Sequence, residues 1–129
     1  MELKFHHIGI VVNSIEDYEK KMLYSKKVNE VDDLIHNSRL ALYENFGETF
    51  IELIQPLDEK STSFNSLQKF GNHLNHLCYQ IESLEKLKSF LDNGWIKVFG
   101  PVPAKLFDNK EVVFYLNRSG QLTEFILSN

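Results

Sequence analysis

An internal repeat constrains this chain more than any other feature of its sequence. The segment His-His-Ile-Gly-Ile-Val-Val-Asn-Ser-Ile-Glu at 6–16 recurs as Asn-His-Leu-Cys-Tyr-Gln-Ile-Glu-Ser-Leu-Glu at 75–85. Each copy begins with the alternation typical of a strand and then reaches a serine, Ser14 or Ser83, that can cap a following amphipathic helix. A chain that repeats such a unit is expected to fold as two similar modules.

The strands that close the two halves also correspond. Phe-Ile-Glu-Leu-Ile at 50–54 matches Leu-Thr-Glu-Phe-Ile at 122–126, and each half has room for two more strands before its closing strand. The additional strands are predicted at 28–35, 39–44, 96–99 and 112–117. The predicted architecture is therefore α+β, with two βαβββ modules.

A connector with a short helix joins the modules. Residues 64–70 predict this helix and Gly71 its end, while Asn93-Gly94 predicts the end of the helix in the second module. We expect a single domain, since 129 residues with 43% hydrophobic and 25% charged composition suit one apolar core and are too few for two ordinary domains. Within this domain, 1–129, we assign module one to 1–58, the connector to 59–72 and module two to 73–129.

The charge distribution and the first residues of the chain limit the partners and the location to be expected. The net charge is -4 and the lysines are scattered, so nucleic acid is not an expected partner. The start, Met-Glu-Leu-Lys-Phe, lacks the basic and apolar regions of a signal peptide, and no apolar stretch reaches membrane-spanning length. We therefore expect a cytoplasmic protein with no membrane association, in which Cys78, within an apolar run, is a buried and unreactive thiol.

Strand alternation places one histidine and one glutamate of each module on a common face. His7 and His76 alternate with apolar residues expected to face the helices, and Glu52 and Glu124 occupy equivalent positions in the closing strands. A buried carboxylate is costly unless it is compensated, and a divalent metal ion can accept two carboxylates and two imidazoles while leaving positions open for water or substrate. We predict that these four residues bind one divalent metal ion, and their ligand types suit cobalt, nickel, manganese, zinc and iron equally.

The prediction of a metal site rests on the equivalent placement of the histidine and the glutamate in both modules. A lone strand histidine is usually a satisfied core or surface side chain, and a lone strand glutamate usually lies on a solvated face. Gly9 and Cys78 follow the two histidines at the same spacing, and their small side chains leave space beside the strand. His6 and His73 lack this symmetry and are interpreted as supporting or surface residues.

The repeated motifs resemble the vicinal oxygen chelate (glyoxalase, bleomycin resistance and dioxygenase) superfamily over essentially the whole chain. The matching motifs are His-Ile-Gly-Ile-Val-Val at 7–12, Phe-Ile-Glu-Leu-Ile-Gln-Pro at 50–56, Asn-His-Leu-Cys-Tyr at 75–79, Asn-Arg-Ser-Gly at 117–120 and Glu-Phe-Ile at 124–126. The short first half and the Ser/Thr-rich stretch after 52–57 are most similar to methylmalonyl-CoA epimerases. The resemblance implies a glyoxalase-like fold, in which the modules form an open β-sheet cavity with the metal ion at its floor.

The resemblance also implies a chemistry. A metal-dependent isomerase or epimerase of this kind binds two neighbouring substrate oxygens and acts through a metal-stabilised enolate. Glu124 matches the ligand that can release the metal ion and serve as the base. The expected partner is a small-molecule substrate such as an acyl-CoA or another thioester, with no other organic cofactor, and the expected assembly is a homodimer.

Two positions depart from the epimerase pattern. Counting back from Glu52 without gaps, the position of the second catalytic glutamate of the epimerases falls at His36. Imidazole exchanges protons near neutral pH, so we assign His36 as the second catalytic residue, although the replacement is equally consistent with loss of the epimerase reaction. Neighbouring carboxylates fit this position only if the strand register shifts: Glu30, Asp32 and Asp33. Asn75 replaces the first of two paired histidines.

Other functions fit the same residues. A glyoxalase I-like lactoylglutathione lyase needs the same four ligands, and a non-catalytic, resistance-type binding protein of this fold needs the cavity alone. Extradiol dioxygenase chemistry is the least supported, because a fourth ligand would occupy a position that oxygen requires.

Overall fold

A computed structural model of the chain describes residues 3–23, 26–45 and 47–128. Its strands are β1 Lys4–Val11, β2 Lys26–Asp33, β3 Ser38–Glu44, β4 Phe50–Pro56, β5 His73–Ile81, β6 Ile96–Ala104, β7 Lys110–Leu116 and β8 Leu122–Leu127. Its helices are α1 Ile15–Glu19, α2 Phe64–Phe70 and α3 Leu84–Phe90, with a 3₁₀ turn at Lys105–Phe107. Met1 and Glu2, the first two residues of the segment that was compared with a signal peptide, lie outside the described residues.

The strands form one eight-stranded sheet that curls into an open half-barrel. Their order is β2-β3-β4-β1-β5-β8-β7-β6, with β1 parallel to β4 and β5 parallel to β8. The two halves join through the antiparallel pair β1 and β5 at the centre. The predicted glyoxalase-like α+β fold with two βαβββ units is confirmed. The module boundaries stay a prediction; β1 to β4 lie before residue 58 and β5 to β8 after residue 72.

The helices cover one face of the sheet, as the alternation pattern predicted. Val12 and Ile15 pack with the apolar residues of β3 and β4 in one cluster, and Ile81 and Leu87 pack with those of β7 and β8 in another. The predicted caps form, because Ser14 Oγ accepts the N–H of Asp17 and Ser83 Oγ accepts that of Lys86. The opposite, concave face is left for the cavity.

Three elements end two or more residues away from the positions that the sequence predicts. β2 ends at Asp33 rather than at residue 35, because the Asp33 carboxylate accepts the backbone N–H groups of Ile35 and His36 and turns the chain. β6 continues to Ala104 through two prolines, which an edge strand tolerates. α3 ends at Phe90, before Asn93-Gly94.

Across the described ranges of the chain, none of the helices is both long and apolar enough to cross a membrane.

Candidate metal centre

The four central strands of the sheet each contribute one of the predicted ligands. His7 lies on β1, Glu52 on β4, His76 on β5 and Glu124 on β8. All four side chains are buried, and the exposed fraction of His7 is 0%. The structure therefore brings together the complete quartet predicted from the repeat, with one histidine and one glutamate from each half.

Each ligand histidine lies beside the small residue of the other half. In the β1–β5 pair, His7 is opposite Cys78 and Gly9 is opposite His76. A Cβ atom at Gly9 would lie 2.2 Å from Cε1 of His76. The space that the sequence predicted beside each histidine is thus used by the imidazole from the neighbouring strand.

The donor atoms of the quartet converge on one point. Oε1 of Glu124 lies 3.2 Å from Nε2 of His7 and 3.0 Å from Nε2 of His76. Oε1 of Glu52 lies 3.3 Å and 3.2 Å from the same two nitrogens, which are themselves 3.1 Å apart. All four atoms fall within 4.8 Å of one another.

Hydrogen bonding alone does not account for this arrangement. Oε1 of Glu124 is fully buried and makes no well-directed hydrogen bond, although two ring nitrogens lie 3.0 Å and 3.2 Å away. If both histidines were protonated, their Nε2–H groups would face each other at 3.1 Å. A divalent cation at the centre satisfies all four atoms at once, because bonds of about 2.1 Å give ligand separations of about 3.4 Å in a tetrahedron and about 3.0 Å in an octahedron. The quartet fits a metal ion, and the separations suit both geometries.

The remaining nitrogen of each histidine has its own partner. Nδ1 of His76 lies 2.8 Å from Oδ1 of Asn75, and Nδ1 of His7 lies 2.8 Å from Nδ1 of His6. If each Nδ1 carries the proton and donates it, each Nε2 lone pair is free for a cation. From the sequence, His6 is predicted only as a supporting or surface residue, and Asn75 only as a departure from the epimerase pattern. The signal for their role is that each stands immediately before a ligand histidine.

The two partners differ in chemistry but act alike. His6 is half-buried, stacked on Phe50 and in edge contact with Phe107. Burial and the neighbouring charge of His7 lower the pKa of His6 to about 4, so that it is neutral at physiological pH and can accept a hydrogen bond. Asn75 offers an amide oxygen for the same purpose.

Electrostatics within the quartet oppose the effect of burial. Burial lowers the pKa of His76, but the contacts with Glu124 and Glu52 outweigh it and raise that pKa to about 10. Burial raises the pKa of Glu124 and of Glu52, and the two histidines outweigh it and hold both carboxyl pKa values below the usual range. The carboxylates are therefore ionised and available as ligands.

Cys78 lies beside the site without being suited to catalysis. Its thiol is fully buried, as predicted. Burial, reinforced by the charges of Glu124 and Glu52, raises the pKa of the thiol well above its usual value, which keeps it protonated and weakly nucleophilic.

A cavity of about 380 Å³ opens above the quartet on the concave face. This volume lies within the range of small-molecule sites. Apolar side chains form most of its wall: Leu40, Ile54, Phe99, Phe107, Phe114 and Leu122. Glu52, His76 and Glu124 reach it from the metal side, so a ligand in the cavity would meet the quartet directly.

His36 also lines this cavity, from the turn between β2 and β3. Its ring makes edge contacts with Phe99 and Phe114, and Phe114 in turn contacts His76 with centroids 5.7 Å apart. The structure thus places His36 in the same cavity as Glu124, next to an aromatic ring that also contacts a ligand histidine.

Asp33 is the one of the three neighbouring carboxylates named from the sequence that lines this cavity. It is 2% exposed and lines the cavity, and its Oδ2 atom is buried without a hydrogen-bond partner. Within the described residues, Oδ2 of Asp33 and Oε1 of Glu124 are the two buried side-chain atoms in this state. Strand alternation could place Asp33 on a face but could not show that one of its oxygens lacks a donor.

Comparison with known proteins gives a family match and several fold matches. The model of the Glyoxalase/Bleomycin resistance protein/Dioxygenase superfamily matches residues 6–114. No curated protein sequence gives a significant match. Among solved structures, hypothetical protein BH1468 from Bacillus halodurans C-125 is 29% identical and has a TM-score of 0.86, with 100% of this chain and 96% of that chain covered.

Methylmalonyl-CoA epimerases are also among the similar structures. The enzyme from Mycobacterium tuberculosis is 23% identical with a TM-score of 0.81, over 98% of this chain and 88% of that chain. A variant of the Streptomyces coelicolor enzyme in complex with 2-nitronate-propionyl-CoA is 17% identical with a TM-score of 0.81, over 99% of both chains. At these identities the similarity shows a shared fold.

Proposed function

This chain belongs to the Glyoxalase/Bleomycin resistance protein/Dioxygenase superfamily, and from that premise we propose that it is a metal-dependent isomerase or epimerase acting on an acyl-CoA or related thioester. The observation that carries the proposal is the buried convergence of four donor atoms in which Oε1 of Glu124 has no hydrogen-bond partner. Such an arrangement is stable with a cation and costly without one. The same site supports both the metal ion and the enolate chemistry in this proposal, because the quartet forms the floor of a ligand-sized cavity.

A bound divalent ion would act as a Lewis acid toward two neighbouring oxygens of the substrate. Glu124 is the proposed base, because its carboxylate is ionised and lines the cavity, and its Oε1 makes no well-directed hydrogen bond. It would take the proton from the carbon next to the thioester carbonyl, and the resulting enolate would lie against the apolar wall, where water is excluded.

Inversion at that carbon needs a proton donor on the opposite face. His36 is the proposed donor, since it lines the same cavity from a turn of the other module while Glu124 lies on β8. A proton removed by Glu124 and a different proton returned by His36 would invert the carbon without net change in the substrate's composition. Exchange with solvent would then take the proton from Glu124 and return one to His36.

Isotope exchange tests the proposal. The protein, loaded with cobalt or manganese, is incubated with methylmalonyl-CoA in deuterium oxide, and deuterium incorporation and inversion are followed separately. We expect both in the native protein and neither after chelation of the metal ion. Absence of exchange with every metal tested would contradict the proposal.

The substitution His36→Asn separates the two proton transfers. Because Glu124 remains, we expect one epimer still to exchange its proton with solvent while inversion falls by roughly a hundredfold or more. His73→Asn is the matched control, since His73 lies near the start of β5 and its ring contacts the backbone oxygen of Gly71. Equal inversion by the two variants would remove His36 from the mechanism.

One observation favours a second candidate, a glyoxalase I-like lyase. The Phe114 ring contacts both His36 and His76. In an epimerase His36 would need free access to the substrate, and an aromatic ring beside it restricts that access. Isomerisation of a thiol hemithioacetal moves a proton between adjacent carbons and can use one carboxylate base. Assays with methylglyoxal and glutathione, or another thiol, distinguish this reaction from the exchange described above.

We also propose that the protein is a homodimer in solution. This proposal follows from the superfamily and is tested by sedimentation velocity across a range of protein concentrations. A single monomeric species at all concentrations would contradict it.

A further inference from the structure

Asp33 lies at the end of the cavity farthest along β3 from the metal quartet. Glu52 pairs with Leu42 of β3, whereas Asp33 pairs with Ser38, four residues away along the same strand. At about 3.3 Å per residue this offset is about 13 Å. Asp33 is therefore not a candidate ligand of the same metal ion.

One oxygen of Asp33 is satisfied by the backbone and the other is not. Oδ1 accepts the N–H groups of Ile35, at 2.9 Å, and His36, at 3.3 Å. Oδ2 is buried and has no partner among the described residues, although Asp33 lines the cavity. The carboxylate is thus held rigidly by one oxygen while the other needs a donor.

The polar side chains around Asp33 do not supply this donor. Ser38 Oγ donates to the backbone oxygen of His36, and Ser61 Oγ lies 2.7 Å from Ser38 Oγ, where it can donate in turn. The nearby cations engage Asp32 instead: Arg39 Nε donates to its carboxylate, and Lys105 Nζ donates to its backbone oxygen. The hydrogens of this region are therefore directed elsewhere.

We propose that Oδ2 of Asp33 accepts a hydrogen bond from an N–H or O–H group of the bound ligand. The ligand would then carry two neighbouring oxygens at one end, an apolar middle that fits the aromatic wall, and a donor at the other end. The first of these features rests on the proposed function, whereas the donor requirement rests on Asp33 alone. In the free protein a water molecule would fill this position and be displaced by the ligand.

A probe series with one chelating end tests the donor requirement. Nonanohydroxamic acid offers two neighbouring oxygens and a methyl end, and in its two analogues a hydroxyl or an amino group replaces the terminal methyl. Binding to the cobalt-loaded protein is measured by calorimetry. We expect the hydroxyl or amino probe to bind at least about tenfold more tightly than the methyl probe, which is the effect of one hydrogen bond to a charged acceptor. Comparison of the two polar probes distinguishes a neutral from a cationic donor.

Asp33→Asn is the matching variant, because its amide keeps an oxygen for the backbone N–H groups and replaces Oδ2 with a donor. We expect it to abolish the preference for the amino probe, whose ammonium group can only donate, whereas the hydroxyl of the other polar probe can still accept from the new amide. Asp32→Asn, which makes the same change on a neighbouring exposed residue paired with Arg39, should leave the preference intact. Equal affinity of the native protein for all three probes, or an unchanged preference for the amino probe in Asp33→Asn, would overturn the proposal.

Urea unfolding without ligand gives a second readout that does not depend on the metal ion. If Oδ2 has no protein partner, Asp33→Asn should leave the unfolding midpoint unchanged or raise it, because it removes a buried charge. A clear fall in the midpoint would show that Oδ2 has a partner in the free protein and would overturn the proposal. If no hydroxamate binds at all, the metal site of the proposed function is contradicted, and the urea result alone decides the role of Asp33.

Discussion

Gly9 and His76 lie side by side in the central strand pair, and the imidazole occupies the volume that a side chain at Gly9 would need. The ring is fixed between strands rather than held by a flexible loop. The position of one metal ligand therefore depends on the absence of a side chain in the other half of the chain.

Gly9→Ala should displace the His76 ring, since the new methyl group would lie 2.2 Å from Cε1. We expect the affinity for cobalt to fall by roughly tenfold or more, measured by competition with a chelating dye. Gly94→Ala is the control, because the nearest neighbours of its Cβ would be atoms of the exposed, flexible side chain of Arg118, which can move away. Equal affinity of the two variants would show that the His76 ring adapts without cost.

Asn75→Leu should weaken metal binding although all four metal ligands remain. The substitution removes the oxygen that lies 2.8 Å from Nδ1 of His76 and that fixes the ring with Nε2 toward the quartet. Loss of such a partner typically costs 10- to 100-fold in metal affinity, and we expect about this effect by calorimetry. Asn75→Asp, which keeps an acceptor, should restore the affinity; failure of both variants alike would assign Asn75 a purely structural role.

At the scale of single elements, helix caps were readable from the sequence because capping is a local interaction. Ser14 and Ser83 cap α1 and α3 as predicted. Residues 64–70 form α2 as predicted, although Ser63, at its start, makes no side-chain cap hydrogen bond. Local side-chain chemistry thus accounts for the starts of α1 and α3.

Ser83→Ala should lower the free energy of unfolding by about 1 kcal/mol, since the N–H of Lys86 loses the hydroxyl that caps it. Ser89→Ala makes the same change within the same helix, where the hydroxyl only donates to a backbone oxygen, and should be neutral or slightly stabilising. Urea denaturation of both variants measures the difference. A larger loss for Ser89→Ala would contradict the capping argument.

The elements that the sequence misplaced end through interactions that periodicity does not encode. β2 was predicted two residues too long because the apolar Leu34 and Ile35 continue its pattern, whereas the Asp33 side chain closes a turn there. The same limit applies to the candidate site. The repeat predicts which four residues converge. The Nδ1 partners and the unpaired oxygen of Asp33 are not predicted, because they depend on rotamers and on strands distant in the sequence.

At the scale of the whole molecule, pH should act oppositely on the metal-free and metal-loaded protein. The raised pKa of His76 contributes stability that is complete below about pH 6.5 and lost as the pH rises through about 10. The lowered carboxyl pKa values of Glu52 and Glu124 contribute stability that is present above about pH 4.5 and lost as the pH falls. The lowered pKa of His6, about 4, causes a loss of stability as the pH falls below about 6.5, so the metal-free protein should be most stable near about pH 6.5.

A metal ion binds the deprotonated histidines, so its stabilising effect should increase with pH and its binding should release protons. Urea midpoints with cobalt and with a chelator, at about pH 6 and about pH 8.5, measure the effect. We expect the difference between the two midpoints to be larger at the higher pH. A difference that shrinks as the pH rises would show that the histidines do not have to lose protons to bind the ion.

The crosswise pairing of His7 with Cys78 and of Gly9 with His76 is the contact pattern of an isologous interface, in which equivalent patches meet about a two-fold axis. The four donor atoms come from this central pair and the strand on each side of it, with one imidazole and one carboxylate from each half. An ancestral half-length chain that bound its own copy would have built a complete site with only two ligand residues to specify. In a single chain each half can differ at equivalent positions: Asp33, at the end of β2, and Ala104, at the end of β6, both line the cavity, but only Asp33 brings a carboxylate to it.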